Sequence, residues 1–586
     1  MRCAHPPRGA PAALLNTIVF FPLLARTPPK EPVGTVLYRT PYNATSLADA
    51  YNVSTEVEPF VVDPGMAVVL QDVRGCGPEG VGISPCELPG HGQFTFPNTS
   101  MYDGYDTVEW IIHQPWSNGK VVLDGPSALA VDSYELITLN PHPAIKAVSL
   151  EIGEAAEHSQ WFPGGAYRLG MAEIYTNLLG GSNESTRPSQ LIGALRAAEG
   201  WGQPWAAQSA WYTGTDGLTG WERGRKAGIA GVHVAGWYDV FSEAQLETFF
   251  QLNDTSLGAT APQWLWVVPG GHCTGSAVGW PLADLLPAKI TTFSANLFHL
   301  LANDPSPAVK KDLQEIVDNT PKLNYYMVGP GIKGTLGNTW HHTNTWPKTE
   351  MQRWYLSDVR DSLTLGHPGR GERSFIYDPS DPAGMSGGNN LFLPTCGPQD
   401  QILVEGTNES VYGPGGFYDV RLSDSCYNNS CHGACRKMID DAYNNVMQHP
   451  RSDLLRYTSA PMRMPTSILG NVTVDLVVSS NATDTDFIVK VRPREFCRSV
   501  ACARALKRRA VRSCRSRTCS RTGPRCSSRR APCACAGGGR TPTATRAAGI
   551  DSWKSRRRRW TRRRDMPSTS AWAWSPTSST SATPSE

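Results

Sequence analysis

Six short apolar runs, each closing in a glycine-rich or polar turn, constrain this chain more than any other feature. They are TVLY (35–38), MAVVL (66–70), KVVL (120–123), IKAVSL (145–150), IAGVHV (229–234) and WLWVV (264–268). Strands that are apolar at consecutive positions are buried on both faces, the pattern of a largely parallel sheet covered by helices. Helix-length stretches separate them, such as DGYDTVEWIIHQ (103–114), where Val108, Trp110, Ile111 and Ile112 supply a buried face. The class is therefore α/β. Near the N-terminus LNTIVFFP reads as an early strand and not a signal peptide, because Asn16 and Pro22 interrupt its apolar stretch. The irregular basic segment before it places the expected true start upstream. No unbroken run of about 18 apolar residues exists to span a bilayer, so no membrane partner is expected.

Ligands in such sheets sit beyond the strand C-termini, so the residues following each run carry the chemistry. KVVLDG leads into Gly125-Pro126-Ser127-Ala128-Leu129-Ala130, which predicts a tight strand-to-helix turn with a serine at its tip. There the hydroxyl stands above the sheet at a helix N-terminus, and the next backbone N–H is placed to stabilise an oxyanion. A serine after a strand is more often a helix cap than a nucleophile, so it needs partners. IAGVHV runs into Ala235-Gly236-Trp237-Tyr238-Asp239, and WLWVV into Pro269-Gly270-Gly271-His272. Serine attacks only when an imidazole takes its proton, and a buried carboxylate must hold that imidazole in the right tautomer. Ser127, His272 and Asp239 are thus expected to converge as nucleophile, general base and orienting acid. Their chain order, Ser, Asp, His, is that of α/β-hydrolases. No cofactor is expected.

Longer motifs extend this reading. YRTPYN (38–43), VVLQDVRGCG (68–77), YDGYDTVEWIIHQPWSNGKV (102–121), PHPAIKAV (141–148), WFPGGAYRLG (161–170) and GWYDVF (236–241) occur in order. WHHTNTWP (340–347), YDPSDP (377–382) and GPQDQ (397–401) follow. Together they resemble the Xaa-Pro dipeptidyl-peptidase and cocaine esterase group of serine hydrolases. The resemblance implies hydrolysis of an ester or amide bond, an Xaa-Pro dipeptidyl bond among them, through an acyl-enzyme. The partner is then a small ester or a peptide. It also implies that the Tyr42 hydroxyl and the Ala128 N–H receive the oxyanion, and that Phe241 and Trp161 line an apolar acyl pocket. Dipeptide removal would further require a carboxylate for the free amine, for which Glu154, Glu157 and Glu173 are candidates. The chain departs from the family at Ala128, where tyrosine usually follows the nucleophile, and at Ala130. The backbone N–H survives both changes; substrate preference does not carry over. The alternative is a hydrolase fold kept for binding without turnover.

The domain reading places the α/β-hydrolase unit at 13–154 and 223–310. Residues 155–222 form an inserted helical cap, with SQLIGALRAAEG (189–200) as one of its helices. From 321 the pattern changes to short separated strands, LNYYMV, RWYL, SFIY and QILV, which resemble the family's β jelly roll over 321–490. That domain reads as incomplete.

Composition explains why. The formal net charge of +3 is a cancellation: Val491–Glu586 holds 22 Arg and 2 Lys against 4 acidic residues, leaving the first 490 residues at −17. A phosphate-binding tail, a solvated disordered extension and out-of-frame translation of GC-rich DNA all give Arg-rich sequence such as SRRRRWTRRR. The third is favoured, because the break falls inside an expected strand pair, 471–491, with Val472, Val474, Leu476 and Val478 on one face. Residues 491–586 are thus an aberrant or disordered low-complexity tail, and no nucleic-acid partner is expected. Cys396, Cys426, Cys431 and Cys435 cluster with His432, but C-x4-C-H-x2-C fits no common zinc spacing, so no metal is expected. Loop disulfides are the expected use there and for Cys76 and Cys86. Nine N-x-S/T sites exceed the roughly four that chance would give and point to a secreted glycoprotein, although Asn43 beside Tyr42 is a poor acceptor. Nothing in the sequence specifies an oligomeric state.

Overall fold

Successive residues of a strand face opposite ways, and here both faces are apolar, which decides the layering. The computed structural model describes residues 14–21, 29, 31–50, 60, 65–77, 100–155, 218–269, 272, 286–329, 337, 339–369, 371–378, 380, 452–464, 466–483, 485–489 and 491. The apolar runs form β1 (Thr17–Phe20), β2 (Val33–Thr40), β3 (Ala67–Asp72), β4 (Ser117–Pro126), β5 (Ile145–Glu151), β6 (Ala230–Gly236) and β7 (Gln263–Val268). With β8 (Leu323–Met327) and β9 (Thr339–Thr343) they make a nine-stranded sheet of order β1-β3-β2-β4-β5-β6-β7-β8-β9. Its two outer pairs, β1·β3 and β8·β9, are antiparallel and the rest parallel.

Seven helices lie among the described residues: α1 (Ala44–Ala50), α2 (Ser100–Ile112), α3 (Ala128–Leu139), α4 (Gly220–Ala227), α5 (Ser242–Asn253), α6 (Leu286–Ala302) and α7 (Pro307–Asn319). On one face Val36, Tyr38, Val68, Val122, Trp264 and Trp266 pack with Phe293, Leu297 and Phe298 of α6 and Leu313 and Val317 of α7. On the other, Leu37, Val69, Val121 and Leu123 pack with Val108 and Ile111 of α2 and Tyr134, Leu136 and Ile137 of α3. Each such side chain contributes on the order of 1.5–3 kcal/mol by leaving water. Local signals set the helix ends. Thr219 and Glu222 form a reciprocal capping box before α4, and Gly228 closes it at φ 65°.

Three expectations are corrected. LNYYMV, expected as a jelly-roll strand, joins the nine-stranded sheet. As β8 it pairs in parallel with β7, matching Leu265 to Leu323 and Val267 to Tyr325. Burial against Leu246, Phe249, Leu265 and Val267 holds it there, and the Trp237 indole N–H donates to the Tyr326 carbonyl at 2.8 Å. The nine-stranded sheet therefore continues to Thr343. Second, the pair expected in 471–491 is not formed among the described residues, and Val477 and Ile488 are exposed. Alternation supplies a face, but a strand also needs a neighbour to complete its ladder. Third, SFIY (374–377) carries no strand, and Ile376 is 84% exposed. RWYL does contribute β10 (Tyr355–Ser357), which forms a separate three-stranded sheet with β11 (Ser362–Thr364) and β12 (Thr458–Ser459). Residues 156–217, with the expected cap helix at 189–200, lie outside the described residues, as do QILV and the tail from 492.

Candidate active site

β4 ends at Pro126 and α3 begins at Ala128, so Ser127 makes the whole turn. Its backbone is forced to φ 57°, ψ −125°, a conformation that costs about 1–3 kcal/mol in a non-glycine residue. Two hydrogen bonds hold it there. The Ser127 N–H donates to the Glu151 carbonyl at 2.9 Å, and its own carbonyl accepts from Val131 N–H at 3.0 Å. Gly125 precedes it at φ +149°, where a Cβ would stand 2.6 Å from that of Leu129. The Tyr38 hydroxyl also donates to Asp124, tying β2 to β4 just before the turn.

Strain of this kind aims the side chain away from its own helix. Ser127 occupies the N-cap of α3 yet makes no side-chain cap hydrogen bond. Its Oγ lies 2.8 Å from His272 Nε2. On the far side of the ring, His272 Nδ1 lies 2.9 Å from Asp239 Oδ1. Asp239 sits in the turn between β6 and α5 and is completely buried, and His272 is 5% exposed. A carboxylate within reach of Nδ1 accepts a hydrogen bond from the Nδ1–H, which leaves Nε2 as the acceptor for the serine hydroxyl. The three side chains thus form one directional series from acid to imidazole to alcohol.

The Ala128 N–H is among the first of α3, where no intrahelical acceptor exists. Tyr42, half-buried after β2, packs against the cluster formed by Val73, Cys76, Ala128 and Val131. Asn43 beside it is buried at φ 63°, and its Oδ1 accepts from Thr45 N–H at 3.0 Å, which leaves that acceptor site unsuited to a glycan. Phe241 is 3% exposed, with its ring centroid 5.3 Å from that of His272. Glu154 is buried just past β5. Trp161, Glu157, Glu173 and the Cys396–Cys435 cluster lie outside the described residues. Cys76 is in a disulfide. Among the described residues no group of three or more His, Cys, Asp or Glu side chains is arranged to hold a metal ion, and no helix is long and apolar enough to cross a membrane.

Two features around the site were not read from the sequence. Buried ion pairs join Arg39 to Asp132 at 2.8 Å and Arg74 to Asp103 at 2.5 Å. The acid five residues after Ser127 was the available signal for the first. The second feature is a buried chain centred on His233 of β6. The Gln263 side-chain amide donates to the carbonyls of Ile229 and Ala261, so its Oε1 must accept from His233 Nε2, 2.9 Å away. His233 Nδ1 then accepts from the Tyr134 hydroxyl at 2.6 Å. Desolvation pushes the His233 pKa down to about 4 and that of Tyr134 up. From α5, Gln245 donates to the Leu150 carbonyl at 2.9 Å and accepts from Gly153 N–H at 3.2 Å. This links α3, β5, β6 and α5 beneath the serine turn.

The family model for the X-Pro dipeptidyl-peptidase (S15 family) matches residues 12–274, and that for the X-Pro dipeptidyl-peptidase C-terminal non-catalytic domain matches 315–496. The chain is 24% identical over 514 residues to the cocaine esterase of Rhodococcus sp. (strain MB1 Bresler), covering 78% of this chain and 75% of the relative. It is 25% identical over 489 residues to a putative serine esterase of Mycobacterium bovis, covering 73% and 66%. Among solved structures, an α-amino acid ester hydrolase is 20% identical with a TM-score of 0.39, covering 62% of each chain. A CocE/NonD family hydrolase from Staphylococcus aureus is 17% identical, also with a TM-score of 0.39, covering 60% of this chain and 58% of its own. The chain thus spans about three fifths of those two structures.

Proposed function

The chain belongs to the Xaa-Pro dipeptidyl-peptidase and cocaine esterase-like family of serine hydrolases, and from that premise we propose that it cleaves an ester or amide bond through an acyl-enzyme on Ser127. The observation that carries this reading is the pair of hydrogen-bond distances, 2.8 Å from Ser127 Oγ to His272 Nε2 and 2.9 Å from His272 Nδ1 to Asp239 Oδ1. As the Ser127 oxygen attacks the substrate carbonyl, its proton passes to His272 Nε2, and Asp239 stabilises the resulting imidazolium. The negative charge on the carbonyl oxygen is received by the Ala128 N–H and the Tyr42 hydroxyl. His272 then protonates the departing alcohol or amine, and water repeats the sequence to release the acid.

Phe241 serves as an apolar wall for the acyl group. The strands beyond β9 belong to a jelly-roll domain. The relatives' own activities, a cocaine esterase and a putative serine esterase, favour an ester substrate over an Xaa-Pro peptide. The excess of acceptor sequons supports passage through the secretory pathway. A panel of p-nitrophenyl esters and Xaa-Pro anilides, run on the full chain and on Ser127→Ala, tests the function. Ser127-dependent turnover of esters is the expected result. Ligand binding without turnover would instead support the non-catalytic alternative.

A further inference from the structure

Arg39 lies near the end of β2, three residues before Tyr42, and Asp132 lies on α3, five residues beyond Ser127. Their side chains are 2% and 1% exposed. Arg39 Nη1 donates to both carboxylate oxygens, at 3.0 and 2.8 Å. Its Nε donates to Gln71 Oε1 at 3.1 Å, an oxygen that also accepts from Thr107 Oγ1 at 2.7 Å. Helix α2 closes over the pair: a Cβ at Gly104 would stand 3.1 Å from Arg39 Nη1. The guanidinium therefore has little room to swing.

Burying an ion pair adds little net stability, because desolvating two charges offsets their attraction; apolar replacements of similar volume are often neutral. What this pair does supply is a fixed spacing between β2 and α3. Those two elements lead to the oxyanion donors, Tyr42 on the turn after β2 and the Ala128 N–H at the start of α3. Tyr42 packs against the small cluster in which Ala128 and Val131 of α3 join Val73 and Cys76, so any slip of β2 along α3 shifts Tyr42 relative to the first helical turn. We propose that Arg39 and Asp132 are positioning residues that set the separation of the two oxyanion donors. The inference rests on the hydrolase reading above. Neither residue touches the reacting atoms; both act through Tyr42 and α3.

A double-mutant cycle on the full chain with a p-nitrophenyl ester tests this. Arg39→Lys keeps the charge, but a single ammonium replaces a rigid guanidinium that holds Asp132 through Nη1 and Gln71 through Nε at once. It is expected to lower kcat by about tenfold, since a displaced oxyanion donor is felt in the transition state, with KM within about twofold and the pH profile unmoved. In a Tyr42→Phe background, where the donor is already gone, the same change is expected to cost less than about twofold. Equal losses in both backgrounds, or undiminished kcat in Arg39→Lys, overturn the proposal. Should Arg39→Lys not fold, the apolar pair Arg39→Met with Asp132→Leu enters the same cycle, with the same expected and contradicting results. A wild-type chain that neither turns over the ester nor reacts with a fluorophosphonate overturns the hydrolase reading, and this proposal with it. An active wild type whose cycle is additive overturns this proposal alone.

Discussion

The Nε2 atom of His272 lies 2.8 Å from Oγ of Ser127 although 145 residues separate them along the chain. The sheet makes this possible: β4 and β7 are both parallel members of it, so the turns following them emerge at the same edge. Asp239 follows β6, which lies directly beside β7.

The carboxylate of Asp239 orients the ring through Nδ1. Asp239→Asn is expected to lower kcat by about 10⁴, because an amide allows the wrong imidazole tautomer, while the thermal midpoint stays close to that of wild type. Steady-state kinetics beside a melting curve check both parts.

Gly153 lies against the serine turn. A Cβ there would stand 2.5 Å from that of Ala130 and 3.2 Å from the Ser127 carbonyl oxygen. Gly153→Ala is expected to destabilise the fold by about 1–3 kcal/mol and to lower kcat, since the backbone of Ser127 must shift. Urea unfolding and ester turnover measure the two effects.

His233 makes stability depend on pH. Its folded pKa, about 4, lies below the ordinary 6.5, so the unfolded chain binds the proton more readily. The contribution is complete above about pH 6.5 and is lost as pH falls toward about 4, by up to about 3 kcal/mol. Urea midpoints at pH 7 and 4.5 should differ less in His233→Gln than in wild type.

Phe241 borders His272 with a buried ring. Phe241→Ala is expected to lower kcat/KM for a benzoyl ester at least about tenfold more than for an acetyl ester, because only the larger acyl group uses the ring. An equal loss for both esters would assign the ring to support of His272 alone.

The parallel sheet was legible because its strands are built around short apolar runs buried on both faces, a signal that survives without knowing the partners. Ser127, Asp239 and His272 were legible for a related reason: each follows such a strand. What the sequence could not convey was pairing. LNYYMV has the same composition whether it edges a second sheet or extends the first, and only burial against Phe249 and Val267 decides. The alternation in 471–480 likewise offers a face without naming a neighbour. Arg39 and Asp132 were hidden because each alone reads as an ordinary charged residue; their burial emerges only when β2 and α3 are packed together.

The nucleophilicity of Ser127 in the folded full-length chain is tested most directly by a fluorophosphonate, with intact mass and peptide mapping as the readout. One adduct per chain, located on Ser127 and abolished in Ser127→Ala and after unfolding, is the predicted result. A folded wild type that stays unlabelled, or an adduct on another residue that persists in Ser127→Ala, would contradict it.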